Sequence, residues 1–157
     1  LPCPIISGGG TGDEATSKAI GCTETRSGSY LYEGLSRIRG RDDLDPARCA
    51  LRVVVTVVSV PTADRIIVDG GQKTFRTHPP DPYGLIVEHP QALLRRMSVE
   101  HGHVDVSGCA HRFRVGEKLC VIPDHQGMVT NMHNEVVGAR DGRAEVVWQI
   151  RGRGKVK

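Results

Sequence analysis

The apolar positions of this chain fall in short, β-branched runs separated by turn residues, with almost no helical periodicity. Ala50-Leu-Arg-Val-Val-Val-Thr-Val-Val-Ser-Val60 predicts the clearest strand, stopped by Pro61. Asp64-Arg-Ile-Ile-Val-Asp-Gly-Gly-Gln-Lys73 predicts its antiparallel neighbour, closing in a glycine turn. Thr77–Tyr83, crowded with Pro and Asp, is a loop, and Gly84-Leu-Ile-Val-Glu-His89 is another short strand. Leu93–Glu100 leads into a histidine segment, and Val104–Phe113 reads as exposed and turn-rich. Val115–Pro123 is a turn and a strand carrying His125, and Ala144–Ile150 is the last strand, after the Arg140-Asp-Gly-Arg143 turn. Strands recurring at roughly eight to twelve residues predict a mainly β fold, an antiparallel β barrel or sandwich.

The first thirty residues break that pattern. Cys3-Pro-Ile-Ile-Ser-Gly-Gly-Gly-Thr-Gly-Asp13 runs from a short apolar stretch into a glycine loop, and Glu14–Ile20 follows as a brief helix. Cys22–Glu33 alternates Thr, Arg, Ser and Tyr like a half-buried strand broken at Gly28, and Arg37–Arg48 is a charged surface connection. Consecutive glycines let backbone N–H groups converge into an anion nest, with Ser7 and Thr11 adding hydroxyls and phosphate as the natural guest. The same stretch reads equally as a surface turn. It is not a P-loop, because no Gly-Lys-Ser/Thr follows.

Composition narrows the partners. A net charge of +3 scattered over 157 residues gives no sign of a nucleic-acid partner, and the basic Arg151–Lys157 run reads as a solvated terminus. No apolar run approaches the roughly 20 residues of a membrane span. Five irregularly spaced cysteines without a C-x-x-C pair indicate reduced thiols and a cytoplasmic location. The opening Leu-Pro-Cys-Pro is neither an initiator methionine nor a signal peptide, so a natural beginning upstream is expected.

The candidate chemistry lies in histidine. Of seven histidines, four sit in Glu100-His-Gly-His103 and in the stretch Val121–Glu135. On strands His101 and His103 share a face, and so do His125 and position 127, a spacing suited to clamping zinc or manganese. Position 127 is glycine. Other roles compete: His101 as a buried structural residue, His103 exposed, His133 at the surface, Asp69 and Lys73 as an ion pair closing a turn, Trp148 as core of the last strand.

Five segments, in order, resemble the C-terminal part of the D-threonine aldolase / D-serine dehydratase group, pyridoxal-phosphate enzymes of the alanine-racemase type of fold. Ser7-Gly-Gly-Gly-Thr-Gly12 is similar to the group's cofactor-phosphate loop, and Gly28-Ser-Tyr30 to its passage from barrel to β domain. Val68-Asp-Gly-Gly-Gln-Lys73 looks like its Asp-Ala-Gly-x-Lys segment, and Val99-Glu-His-Gly102 resembles its Glu-Glu-His-Gly. Ile122-Pro-Asp-His-Gln-Gly-Met-Val-Thr-Asn131 resembles its Pro-x-His-x-Cys/Asp-x-x-x-Asn metal motif. The resemblance implies that residues 1–30 are the last strand-loop piece of a (β/α)8 barrel and residues 31–157 a β domain. It implies pyridoxal phosphate held by Ser7, Gly8, Gly9, Gly10, Thr11 and Tyr30, catalytic roles for His101 and His125, and a metal on His125.

The implied reaction is retro-aldol cleavage of a D-β-hydroxy amino acid to glycine and an aldehyde; dehydration to a keto acid and ammonia uses nearly the same residues. The group's Schiff-base lysine lies upstream of anything present here, which implies a missing N-terminal barrel, a homodimeric longer enzyme and an inert fragment. Gly127 replaces the group's second metal ligand. Either His101, His103 or His133 substitutes for it, or the metal is lost, leaving a racemase-type or non-catalytic relative.

Overall fold

The computed structural model describes residues 2–39, 45–75 and 82–155. A small unit comes first: β1 (Ser7–Gly8) and β2 (Glu24–Thr25) pair in parallel, with α1 (Glu14–Ala19) between them. Parallel neighbours need such a crossover, and this strand-helix-strand step is the unit of a (β/α)8 barrel. A 3-10 turn at Ser29–Leu31 and the single helical turn α2 (Leu35–Ile38) carry the chain onward.

Six strands then close on themselves: β3 (Val53–Thr62), β4 (Arg65–Val68), β5 (Gly84–Ile86), β6 (Leu93–Met97), β7 (Gly102–Asp105) and β8 (Lys118–Pro123). Their order is β3-β4-β7-β6-β5-β8, every pair is antiparallel, and β8 returns to β3. Of the two architectures the strand pattern allowed, the barrel is the one formed, and closure removes the exposed edges of a sandwich. Alternate residues point inward, among them Val55, Val57, Ile66, Val68, Ile86, Leu94, Val104, Leu119 and Val121, with Phe75 and Phe113 in the same core. Each such side chain, fully buried, stabilises by about 1.5–3 kcal/mol. Helix α3 (Gln126–Met132) follows β8, and a hairpin of β9 (Glu135–Arg140) and β10 (Arg143–Gln149) ends the fold.

Several expectations fail for local reasons. Strand β3 passes through Pro61 to Thr62, because Pro61 falls where the β3–β4 register is irregular and no ladder N–H is needed. Cys22–Glu33 is no continuous strand: the chain leaves β2 after Thr25 and turns where the Ser29 N–H binds the Thr11 hydroxyl at 2.9 Å. Val104–Phe113 is not simply exposed, since Val104, Val106 and Phe113 are buried. The Arg37–Arg48 connection begins in the core, with Ile38 packed against Cys49 and Ile122; residues 40–44 lie outside the described residues, as does the Thr77–Tyr83 loop up to residue 81. The apolar pattern does not predict strand β9. Trp148 is 55% exposed rather than core, because its hairpin stands outside the closed barrel and its ring lies over Gly138.

Two glycine-bearing segments meet at one end of the barrel. The Gln72 and Lys73 N–H groups donate to the carbonyls of Ser98 and Val99 at 3.0 and 3.2 Å. Lys73 pairs with Glu100, while the Asp69 carboxylate accepts the Thr56 N–H at 2.7 Å, so the turn is closed by other partners than an Asp69–Lys73 pair. A Cβ on Gly71 would lie 2.5 Å from the Glu100 carbonyl carbon and the His101 nitrogen, and one on Gly102 would lie 2.6 Å from the Gly70 oxygen. Backbone cannot yield as a side chain can. Gly71→Ala is expected to cost about 1–3 kcal/mol, read as a lower urea midpoint, whereas Gly10→Ala, where nothing lies within 4 Å of the added Cβ, should stay within about 0.5 kcal/mol.

Candidate active site

The glycine loop follows β1. Gly9 and Gly12 have φ of 66° and 101°, left-handed values that glycine adopts without a Cβ clash. Side chains at Gly8 and Gly9 would run into Cys22 and Ser17, so these two glycines also have a packing cause. The Thr11 hydroxyl is engaged by the Ser29 N–H, and the Thr11 carbonyl accepts Arg37 Nη1 at 3.0 Å. Arg37 lies against Gly12 and pairs with Glu33 at 3.5 Å. Tyr30, next to Ser29, is brought beside the loop and is 57% exposed. Ser7, Gly8, Gly9, Gly10, Thr11 and Tyr30 are therefore neighbours.

The loop already carries one anion. Glu14 Oε2 accepts the Gly12 N–H at 2.9 Å, and its other oxygen accepts the Ser27 hydroxyl. The Ser27 hydrogen bond, then the Glu14 and Gly12 backbone N–H groups, with a smaller contribution from Arg37, hold this carboxyl down at about 2.

Helix α2 links the loop to the barrel. Arg37 reaches back to Thr11, and the neighbouring Ser36 N–H donates to the Asp124 carbonyl at 3.1 Å. Gly34 packs directly on that carbonyl, where a Cβ would come within 2.9 Å. Asp124 is 1% exposed and meets Arg39 at 3.5 Å. The next residue is His125. The Glu100-His101 turn, the Gly70–Lys73 turn and the exit of β8 all lie at this same end of the barrel.

His125 does not lie on a strand. It caps α3, its Nδ1 accepting the Met128 N–H at 3.4 Å. Position 127 is thus the second residue of a helix, yet a Cβ there would stand 3.1 Å from His125 Cε1 and 3.4 Å from Nδ1. The pairing of 125 with 127 survives through cap geometry rather than strand alternation. His101 precedes β7 and is exposed; His103 lies within β7, half-buried, with its protonated form disfavoured by burial and by Arg96, Arg65 and His101. His133 is half-buried and its Nε2 lies 3.2 Å from the Thr74 carbonyl. Among the described residues no group of three metal donors includes His125, so His101, His103 and His133 do not assemble with it into such a set. The one group that does form is His89, His111 and Glu117, which the histidine pattern did not reveal because its members are far apart in sequence.

Residues 50–139 match a family described as "Putative serine dehydratase domain". The chain belongs to this family. Over 98% of its length it is 34% identical to D-threonine aldolase of Arthrobacter sp. It spans 41% of that relative's length. The crystal structure of D-threonine aldolase from Filomicrobium marinum matches all of the chain with a TM-score of 0.82 at 26% identity, the chain covering 43% of it. D-threo-3-hydroxyaspartate dehydratase from Delftia sp. HT23 matches 95% of the chain, at TM-score 0.74 and 26% identity, over 44% of its own length. The resemblance read from the five motifs is therefore a family relationship, and aldolases and dehydratases both stand among the relatives. No helix among the described residues is long and apolar enough to cross a membrane.

Because its folded value lies below the ordinary 4.5, Glu14 supports the loop fully above about pH 4.5 and loses that contribution as the pH falls through about 2. Ser27→Ala is expected to move the Glu14 titration up toward 4.5, followed by carboxyl-carbon NMR; a wild-type Glu14 titrating near 4.5 would contradict the hydrogen-bond assignment.

Proposed function

We propose that this chain is the C-terminal portion of a pyridoxal-phosphate-dependent lyase that cleaves D-β-hydroxy amino acids to glycine and an aldehyde. The observation that carries this is the 34% identity with an aldolase over 98% of the chain. Residues 1–30 belong, in this reading, to the cofactor barrel and residues 31–157 to its β domain. The exposure of Ile5, Ile6, Ile20 and Leu31 supports a further layer of barrel upstream, and that of Val137, Val147 and Trp148 supports a homodimer of the complete protein.

The glycine loop can take the cofactor's phosphate at Gly10, which opens onto free space, with the Arg37 guanidinium lying against Gly12; the Gly12 N–H itself is taken by Glu14. Ser7, Gly8, Gly9, Gly10 and Thr11 would hold that phosphate, with Tyr30 beside it. Pyridoxal phosphate supplies an electron sink at the substrate's α-carbon. A divalent ion at His125 does not fit in the same way, since Gly127 offers no side-chain donor and, among the described residues, no three-donor group includes His125. No step is therefore assigned to a metal there.

His125 then acts through its ring alone, with His101 at the same end of the barrel as the second candidate. In cleavage, a base takes the β-hydroxyl proton, the Cα–Cβ bond breaks, the aldehyde departs and Cα regains a proton to give glycine. His125 serves as that base once its cap hydrogen bond opens, which costs little at 3.4 Å. With the cap closed, Nδ1 accepts and Nε2 bears the proton. That favours a second reading, dehydration: Nε2–H protonates the leaving hydroxyl as water, the α-proton departs, and hydrolysis yields a keto acid and ammonia.

The test uses the full-length protein with pyridoxal phosphate and D-threonine. Glycine and acetaldehyde are expected, with EDTA leaving the rate within a few-fold. 2-Oxobutyrate and ammonia would establish the dehydratase instead, and the appearance of no product from either pair would overturn the lyase reading. EDTA abolishing turnover in wild type and equally in His111→Ala would show that turnover needs an ion other than one at the His89, His111 and Glu117 group. The 157-residue chain alone is expected to be inert, because the family's Schiff-base lysine lies upstream and none of Lys18, Lys73, Lys118, Lys155 and Lys157 stands at its place in the sequence.

A further inference from the structure

We propose that His89, His111 and Glu117 form a second site, for a divalent transition metal of the zinc class, at the barrel end opposite the candidate active site. His89 lies in the β5–β6 connection, and His111 and Glu117 in the β7–β8 connection. Both connections leave the end of the barrel where β3 turns into β4. The motif segments all sit at the other end, so this cluster belongs to neither the glycine loop nor His125.

The donors are the right kind and nearly the right distance apart. One donor atom from each residue lies within 4.8 Å of the other two. Ligands of tetrahedral zinc at 2.0–2.1 Å stand about 3.3 Å from one another, so the widest pair must close by no more than about 1.5 Å. The His111 Nε2 and Glu117 Oε1 atoms, at 2.8 Å, are already closer than that. An ion would enter between them, replacing the hydrogen bond with two coordinate bonds. Two imidazoles and one carboxylate are an established zinc ligand set, and the fourth position goes to water.

The surroundings hold the rings in place. His89 and His111 stack with centroids 4.4 Å apart and planes 20° apart. Phe113, itself buried, meets both edge-on at 4.9 and 4.7 Å. Lone pairs lie in the ring planes, and near-parallel planes keep them from converging on one ion, so coordination requires one imidazole to tilt. His111 is exposed and can turn, while half-buried His89 and Phe113 form the floor. The bound ion would staple two connections across one end of the barrel. A stacked pair of neutral imidazoles with a hydrogen-bonded carboxylate and no metal affinity is the competing reading, and the experiment separates the two.

The full-length protein, stripped with chelator, is titrated with zinc against a chromophoric competitor. Wild type is expected to take up one more equivalent than His111→Ala, and His89→Ala and Glu117→Gln should each weaken that equivalent at least tenfold. His125→Ala should leave it unchanged. On the wild type, zinc should shift the imidazole nitrogen resonances of His89 and His111 together, a readout independent of any substitution. Equal zinc uptake by wild type and His111→Ala, or loss only in His125→Ala, overturns the site. Turnover enters none of these measurements, so they stand or fall apart from the lyase reading.

Discussion

The contact between the Gly70–Lys73 turn and the Ser98–Gly102 turn fixes one end of the barrel. Two backbones lie so close that neither Gly71 nor Gly102 has room for a Cβ, and two N–H···O bonds and the Lys73–Glu100 pair hold them there. The ion pair is exposed and adds little in water; the hydrogen bonds and the steric fit define the geometry. From that contact follow the place of Phe75 in the core, the start of β7 and the position of His101. These two family segments, read separately in the sequence, are one object in space.

The second organising contact is α2. A single helical turn bonds the glycine loop through Arg37 and the β8 exit through Ser36, while Leu35 and Ile38 bury their side chains. A residue held at Asp124 by Gly34 and Ser36 leaves His125 little freedom in where it starts its helix. The candidate site is thus assembled from two sheets through a four-residue bridge whose apolar side anchors it and whose polar side carries the connection.

Much of this architecture was legible. The β-branched run of β3, the turn after β4 and the Asp141-Gly142 hairpin turn, with φ of 49° and 74°, declare themselves through local propensity. The motif order disclosed the family for the same reason that the motifs pack: glycines appear where backbones touch. What was not legible depended on partners distant in sequence. The helix from Gln126 follows from the cap offered by His125, not from any apolar period over seven residues. Trp148 looked like core because large aromatic residues usually are; its exposure comes from β10 pairing with β9 outside the closed barrel. The His89–His111–Glu117 group arises only when two connections meet at one barrel end.

Gly127 carries a chemical consequence. Gly71 and Gly102 are locked by their surroundings, so drift at either is paid in lost fold stability. Gly127 is exposed, on a short surface helix, with only the His125 ring nearby. Exchanging it for a residue with a carboxylate or thiol asks only the His125 ring to give by a few tenths of an ångström, and the added Cβ meets nothing else within 4 Å beyond its own helix. One replacement at 127 can therefore set a donor atom beside the His125 ring without moving any backbone, a change of side-chain chemistry on an unchanged scaffold.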